Sequence, residues 1–251
     1  MKKLCVNLIA VLLLCYFIVA STVSQAAQRS ASSQTQSSFF KKHHLVPYDS
    51  STSKSFFCQN QYTDDFFLLS QFFVTQKTLT FCSIASAVMV LNALDIPKPF
   101  SQTYHPFHIF TQRNVLTPEV RKVIDIKSLH KSGLTLNEFS KLVRVFPVKI
   151  QIFHAKELTF HRFQKKIIKA LQKHNTFVVV NFDRTPLYGA GGGHFSPLGA
   201  YNKKTHRFLL LDVARFKYPP VWIKAQDLWH AVNTIDSASH QTRGLAIISR
   251  R

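Results

Sequence analysis

Cys82, His194 and Asp212 are the residues whose types and spacing could do chemistry together. Cys82 opens a stretch with apolar residues at 84, 85, 88, 89 and 91, which predicts a mostly buried helix from Cys82 to Leu94, ended before Pro97. A sulfur at a helix start lies among unpaired backbone N–H groups and the positive end of the dipole, both of which favour thiolate. Gly191 to Gly193 lead into His194, and Phe195 to Tyr201 reads as a strand. Asn202-Lys-Lys-Thr205 supplies turn residues, and Phe208 to Val213 is a second apolar strand. Paired as a hairpin, they set Tyr201 opposite His206 and bring His194 beside Asp212 or Val213 at the open end. Thiolate, imidazole and orienting carboxylate form a constellation for acyl transfer. Gln76, six residues before Cys82, is placed to donate to an oxyanion.

Each residue also has a plainer reading. A free Cys is commonly a small buried hydrophobe, and a lone His or Asp at a strand end is commonly a satisfied polar group. The predicted hairpin contact favours the chemical reading.

The surrounding elements are α+β. Thr117-Pro118 opens a short helix with Pro at its first position, and Thr135-Leu-Asn-Glu138 is a capping box for the next, which stops before Pro147. Val148, Ile150 and Ile152 alternate as a strand, Leu158 to His174 is an amphipathic helix with Lys165, Lys166, Lys169 and Lys173 outward, and Phe177 to Val180 suits a buried central strand. A 46% apolar fraction excludes wholesale disorder, and the absence of GxxxxGK[ST] or GxGxxG strings argues against a phosphate-cradling nucleotide site.

The first residues read as an export signal. Lys2 and Lys3 precede an uncharged apolar run from Leu4 to Ala20, with Ser24 and Ala26 placed for cleavage after Ala26. An uncleaved membrane anchor stays open, and is the only membrane association expected. Cleavage removes Lys2, Lys3, Cys5 and Cys15, lowering the net charge from +20 to +18 and leaving Cys58 and Cys82. In an oxidising compartment, periplasmic or secreted, those two thiols could pair. The division expected is signal peptide 1–26, flexible linker 27–45, catalytic domain 46–240 and C-terminal tail 241–251. The positive charge would serve an anionic partner, but an export signal counts against nucleic acid. A basic exported binding protein without catalysis is the alternative, and a homodimer is left open.

The runs Ser70-Gln-Phe-Phe-Val-Thr-Gln76, Phe81-Cys82-Ser-Ile-Ala-Ser86, Val90-Leu-Asn-Ala-Leu94, Gly193-His-Phe-Ser-Pro-Leu198 and Asp212-Val-Ala-Arg-Phe-Lys-Tyr-Pro-Pro-Val-Trp222 resemble phytochelatin synthase. That family is also called glutathione γ-glutamylcysteinyltransferase. The similarity covers about Pro47 to Thr234 and implies a papain-like cysteine peptidase fold, a helical part carrying Cys82 and an antiparallel sheet carrying His194 and Asp212. The nucleophile, imidazole and aspartate of the family fall on those three, and its oxyanion glutamine on Gln76. Two departures are visible: Ser83 stands where the family usually has Gly, and no Cys follows Thr234. The second makes the chain similar to short bacterial members, which mainly remove glycine from glutathione.

The resemblance implies cleavage of the Cys–Gly bond of glutathione through a γ-glutamylcysteinyl thioester on Cys82, released to water or to a second glutathione. Arg215, Lys217 and Tyr218 are candidate holders of substrate carboxylates, Arg215 through a bidentate grip. No tightly bound cofactor or catalytic metal site is expected; cadmium or zinc would enter as the thiolate complex of the substrate and stimulate synthesis.

Overall fold

The computed structural model describes residues 37–58 and 64–251. The chain separates into a unit from Met1 to His43 and a second from His44 to Arg251. The expected signal peptide lies outside the described residues, as does most of the expected linker. The described part of that linker, 37–42, is helical.

The second unit holds a seven-stranded sheet in the order β1-β6-β5-β4-β3-β9-β2, every neighbouring pair antiparallel. Its strands are β1 (Val46–Pro47), β2 (Val148–His154), β3 (Thr176–Asp183), β4 (Gly193–Asn202), β5 (Arg207–Leu210), β6 (Val221–Lys224) and β9 (Gly244–Arg250). A separate pair, β7 (Ile235–Asp236) and β8 (Gln241–Thr242), lies between β6 and β9 in the chain. The helices are α1 (Ser51–Cys58), α2 (Asp64–Gln71), α3 (Cys82–Ala93), α4 (Pro118–Val123), α5 (Ile126–Ser132), α6 (Leu136–Arg144), α7 (Phe160–Leu171), α8 (Thr185–Tyr188) and α9 (Ala225–Val232).

Local signals explain the ends of these elements. Thr117 caps α4 by accepting the Val120 N–H, with Pro118 just inside. Thr135 and Glu138 form the reciprocal capping box of α6. Thr159 caps α7, which runs shorter than the periodicity predicts because the cap takes its first turn and Gln172 its last. Every residue of α3 is buried. Its largest polar side chain, Asn92, is satisfied by exchanging two 2.9 Å hydrogen bonds with the Phe110 backbone. The strand Phe177 to Val180 is central and wholly buried, as its unbroken apolar run requires.

Two expectations are corrected. Residues 241–251 are not a tail: β8 and β9 occupy them, and β9 sits between β3 and β2, pairing Val178 with Ile247 and Ile150 with Ile248. The apolar run Leu245 to Ile248 reads as a strand once partners on both sides are known. Gly244 is required where β9 enters, because a Cβ would collide with the Phe153 carbonyl oxygen. The hairpin register is also shifted. Asn202 pairs with Arg207 and Tyr201 with Phe208, since the Asn202 side chain accepts the Thr205 N–H at 2.9 Å and His206 takes φ +51°, placing the loop at 203–206. A bulge between Leu198 and Ala200 returns one residue of that shift.

Because β9 bridges β3 and β2, a protein ending at residue 240 is expected to lose its cooperative thermal transition and protease resistance. A truncated protein that still melts cooperatively by circular dichroism would show that β9 is dispensable.

Candidate active site

Helix α3 begins at Cys82 without a side-chain cap, since its N-cap is Phe81. No side-chain cap therefore competes for the N–H groups of the first turn. Cys82 is 6% exposed. Strand β4 brings His194 to it, and the Asn181 amide of β3 holds the His194 carbonyl at 3.2 Å. Asp212 follows the end of β5. There the ladder gives way to a side-chain tie in which the Val213 N–H donates to Ser196 Oγ at 3.3 Å. His194 Nε2–H donates to Asp212 Oδ1 at 2.8 Å, which leaves Nδ1 for the Cys82 sulfur.

His194 and Asp212 are 1% and 0% exposed. The carboxylate also accepts the Ala214 N–H at 2.8 Å, and the buried Tyr188 feels its charge. Arg184 Nη2 lies 3.6 Å from Asp212 Oδ1, an ion pair beyond hydrogen-bond distance, and 2.9 Å from His194 Nε2.

Burial alone would raise the Asp212 carboxyl, but His194 charge and hydrogen bonding, Arg184 and the Ala214 N–H hold it below the ordinary carboxylate value. Burial likewise pushes the Cys82 thiol up, and the charge and hydrogen bond of His194, with Phe195 backbone and Arg184, bring it below the ordinary thiol value. For His194 burial acts downward, and Asp212 and Cys82 together raise it. Lowered thiol and raised imidazole define a thiolate–imidazolium pair.

Gln76 is buried, and its backbone N–H donates to the Val213 carbonyl at 2.9 Å, tying the segment before α3 to the residue after Asp212. Its Nε2 donates to the Thr78 carbonyl at 2.7 Å, which fixes the amide and leaves a second N–H on that nitrogen. Ser83 is fully buried, and its hydroxyl has no partner among the described residues. Cys58 is exposed and Cys82 buried, both as free thiols, so the pairing that an oxidising compartment would permit is not made.

A cleft of about 300 Å³ opens at Cys82 between the sheet and the α5–α6 connection. Asn181, Gly193, Glu138, Asp236 and Arg243 help to line it. Arg243 is 7% exposed, with its guanidinium 3.6 Å from Asp236 and 3.9 Å from Asp183. A Cβ at Gly193 would displace that guanidinium.

Cys82, His194 and Asp212 are brought together as the hairpin argument expects. Arg215, Lys217 and Tyr218 lie elsewhere than on this cleft. Arg215 packs its guanidinium 4.7 Å from the Phe73 ring. Tyr218 stacks on Tyr188 at 4.0 Å, with Lys217 and Arg184 against its ring. Sequence reasoning missed Arg184, Tyr188 and Arg243. A charged Asp183-Arg184 pair closing a largely apolar strand was the available signal for the first; Arg243 was hidden in the supposed tail.

The sequence profile of the family described as phytochelatin synthase matches residues 37–245. Glutathione gamma-glutamylcysteinyltransferase 1 of Lotus japonicus is 34% identical over 208 residues, covering 82% of this chain and 40% of that protein. The Schizosaccharomyces pombe glutathione gamma-glutamylcysteinyltransferase is 30% identical over 211 residues, covering 81% and 48%. The chain thus spans under half the length of these relatives. Among solved structures, the peptidase domain of Streptococcus ComA has a TM-score of 0.41 at 12% identity, covering 71% of this chain and 97% of that one.

The electrostatics predict how Cys82 alkylates. Its rate of reaction with iodoacetamide, followed by peptide mass mapping, is expected to have a midpoint on the acid side of an ordinary thiol. Asp212→Asn, which removes the charge that raises His194, should move that midpoint up; Arg184→Ala should move it up less. A midpoint that ignores both substitutions would mean that the pair is not formed.

Proposed function

We infer the activity from the premise that the chain belongs to the phytochelatin synthase family. We propose that it performs thiol-dependent acyl transfer on glutathione. The observation that carries this reading is the Cys82–His194–Asp212 alignment at the mouth of a cleft containing the buried cation Arg243.

Glutathione offers the cleft an amino-acid-like γ-glutamyl end, with one carboxylate and one ammonium. Arg243 has the charge and planar donors for that carboxylate, and Asp183 or Asp236 for the ammonium. The carboxylates stand beyond hydrogen-bond distance from Arg243, so its guanidinium retains donors for an incoming anion.

Thiolate Cys82 attacks the Cys–Gly carbonyl carbon. The Cys82 N–H and the second N–H of Gln76 Nε2 are the donors available to the oxyanion, each worth on the order of 3 kcal/mol in such sites. As the tetrahedral adduct collapses the C–N bond breaks, and imidazolium His194 gives its proton to the departing glycine amine. The γ-glutamylcysteinyl thioester remains on Cys82. His194, now neutral, takes a proton from water or from the α-amine of a second glutathione. That nucleophile closes on the thioester and expels the Cys82 thiolate. Asp212 keeps the imidazole in one tautomer throughout.

Water gives γ-glutamylcysteine and glutathione gives phytochelatin. Synthesis needs an oriented acceptor to compete with water at about 55 M. Arg215 and Lys217 stand on the loop that follows Asp212, outside the cleft, and are the acceptor-side cations we propose. Cadmium or zinc takes part as the thiolate complex of the acceptor. The Lys2-Lys3 start and apolar run after it support export to an oxidising compartment.

Cys82→Ala is expected to abolish glycine release from glutathione with the thermal melt unchanged, while Cys58→Ala is nearly silent. Equal losses in both would overturn the nucleophile assignment. In a glutathione series, γ-glutamylcysteine and glycine should be the main products, with dimeric phytochelatin minor and rising with glutathione and cadmium. Oligomer exceeding γ-glutamylcysteine without added metal would mean that a built acceptor site exists.

A further inference from the structure

Side chains of the sheet alternate between two faces. Ile150, Phe177, Val179, Ala246 and Ile248 point into the core shared with α3 and α6. Lys149, Gln151 and Phe153 of β2, with Ile247 and Ser249 of β9, point to the other face. Helix α7 packs on that face mainly over β3 and β4. Beyond the helix, the last two strands are left open beneath its flank.

A cavity of about 370 Å³ occupies this angle. Four lysines surround it: Lys149 from the strand side, Lys166 and Lys169 from the helix, and Lys173 from the turn just after it. Lys166 and Lys169 stand at i, i+3 on one face of the helix, and the Lys173 N–H, donating to the Ala170 carbonyl, keeps the turn against the helix end. No carboxylate lines the cavity. Among the described residues none of the four lysines is in an ion pair, whereas Lys98, Arg184 and Arg243 each have an acidic partner. Lys166 is held 3.8 Å over the Phe153 ring, a contact that leaves its ammonium at the rim with donors to spare. The floor adds the Gln151 amide and the Ser249 hydroxyl.

Four uncompensated ammonium groups around one concavity repel one another, and an anion of matching charge relieves that repulsion. The shape restricts the anion. A flat lipid surface would reach the rim but not the floor donors, whereas a compact ligand would meet both. We propose that this groove binds a free, compact oligophosphate, a phosphate compound carrying three or more negative charges, on the face of the sheet opposite Cys82. Lysine suits such a ligand as a point charge that needs no fixed fork geometry.

The probe is inorganic tripolyphosphate, titrated calorimetrically into the full chain. Two triple variants separate a site from bulk charge: Lys149→Glu, Lys169→Glu and Lys173→Glu in the groove, and Lys122→Glu, Lys203→Glu and Lys204→Glu elsewhere. All six positions are exposed, so both proteins should fold, which matching thermal melts would verify. Saturable one-to-one binding is expected for the parent and the control variant, weakened at least tenfold in the groove variant. Glycine release from glutathione should be unaffected in both. Equal weakening in the two variants, or no saturable binding by the parent, would overturn the proposal. So would binding to phosphatidylcholine vesicles containing a bisphosphorylated inositol lipid when free tripolyphosphate does not bind.

Discussion

A carboxylate with no solvent exposure is the constraint around which the site is arranged. Taking Asp212 out of water costs several kcal/mol unless donors replace its hydration. Nε2–H of His194 and the Ala214 N–H supply them, the Arg184 guanidinium adds a compensating charge, and each fixes something else in turn. The imidazole can point only one way, so its other nitrogen is committed to Cys82. The turn after Asp212 is held by its own carboxylate, and Val213 then receives the Gln76 backbone. Tyr188 brings Tyr218 with it through their stack. One buried charge thereby connects α3, β4, the β5–β6 connection and the segment before the nucleophile.

The same charge explains why the thiol and imidazole are displaced in opposite directions. Both are buried enough that neutrality would be their default. Asp212 makes an imidazolium tolerable, the imidazolium makes a thiolate tolerable, and each ionisation depends on the one before it. Helix α3 can contribute only the first N–H groups, since the rest of it is apolar and enclosed.

Much of this was legible in the residues, because the governing signals are local. The helix at Cys82, the capping box at Thr135, the alternating strand at Val148 and the apolar central strand all follow from spacing over a few residues. The meeting of His194 with Asp212 was also legible, although the turn lies one residue beyond where its composition suggests. The contact tolerates that error because the bulge near Gly199 takes back part of the shift and both side chains reach beyond the paired ladder. What stayed hidden depends on distant partners. Leu245 to Ile248 carries no mark distinguishing a tail from an inserted strand until β2 and β3 flank it, and Arg243 was hidden with it. Arg215 was readable as a cation but not as one resting on Phe73, since only packing brings the two segments together.

The insertion of β9 has a consequence for the order in which the molecule can be made. Strand β2 has β9 as its only neighbour in the sheet, and the nearest paired residues, His154 and Gly244, are separated by 90 positions in the chain. During synthesis β2 and the helix packed against it emerge long before anything exists for them to join. By contrast, β3, β4, β5 and β6 pair with neighbours in succession and can assemble as they appear. Loop-closure entropy over such a span slows the final step and leaves an apolar strand edge uncovered in the interval. On the ribosome the hairpin carrying His194 and Asp212 would thus be paired while half of the sheet still waits. The cleft wall bearing Arg243 would be among the last parts to close.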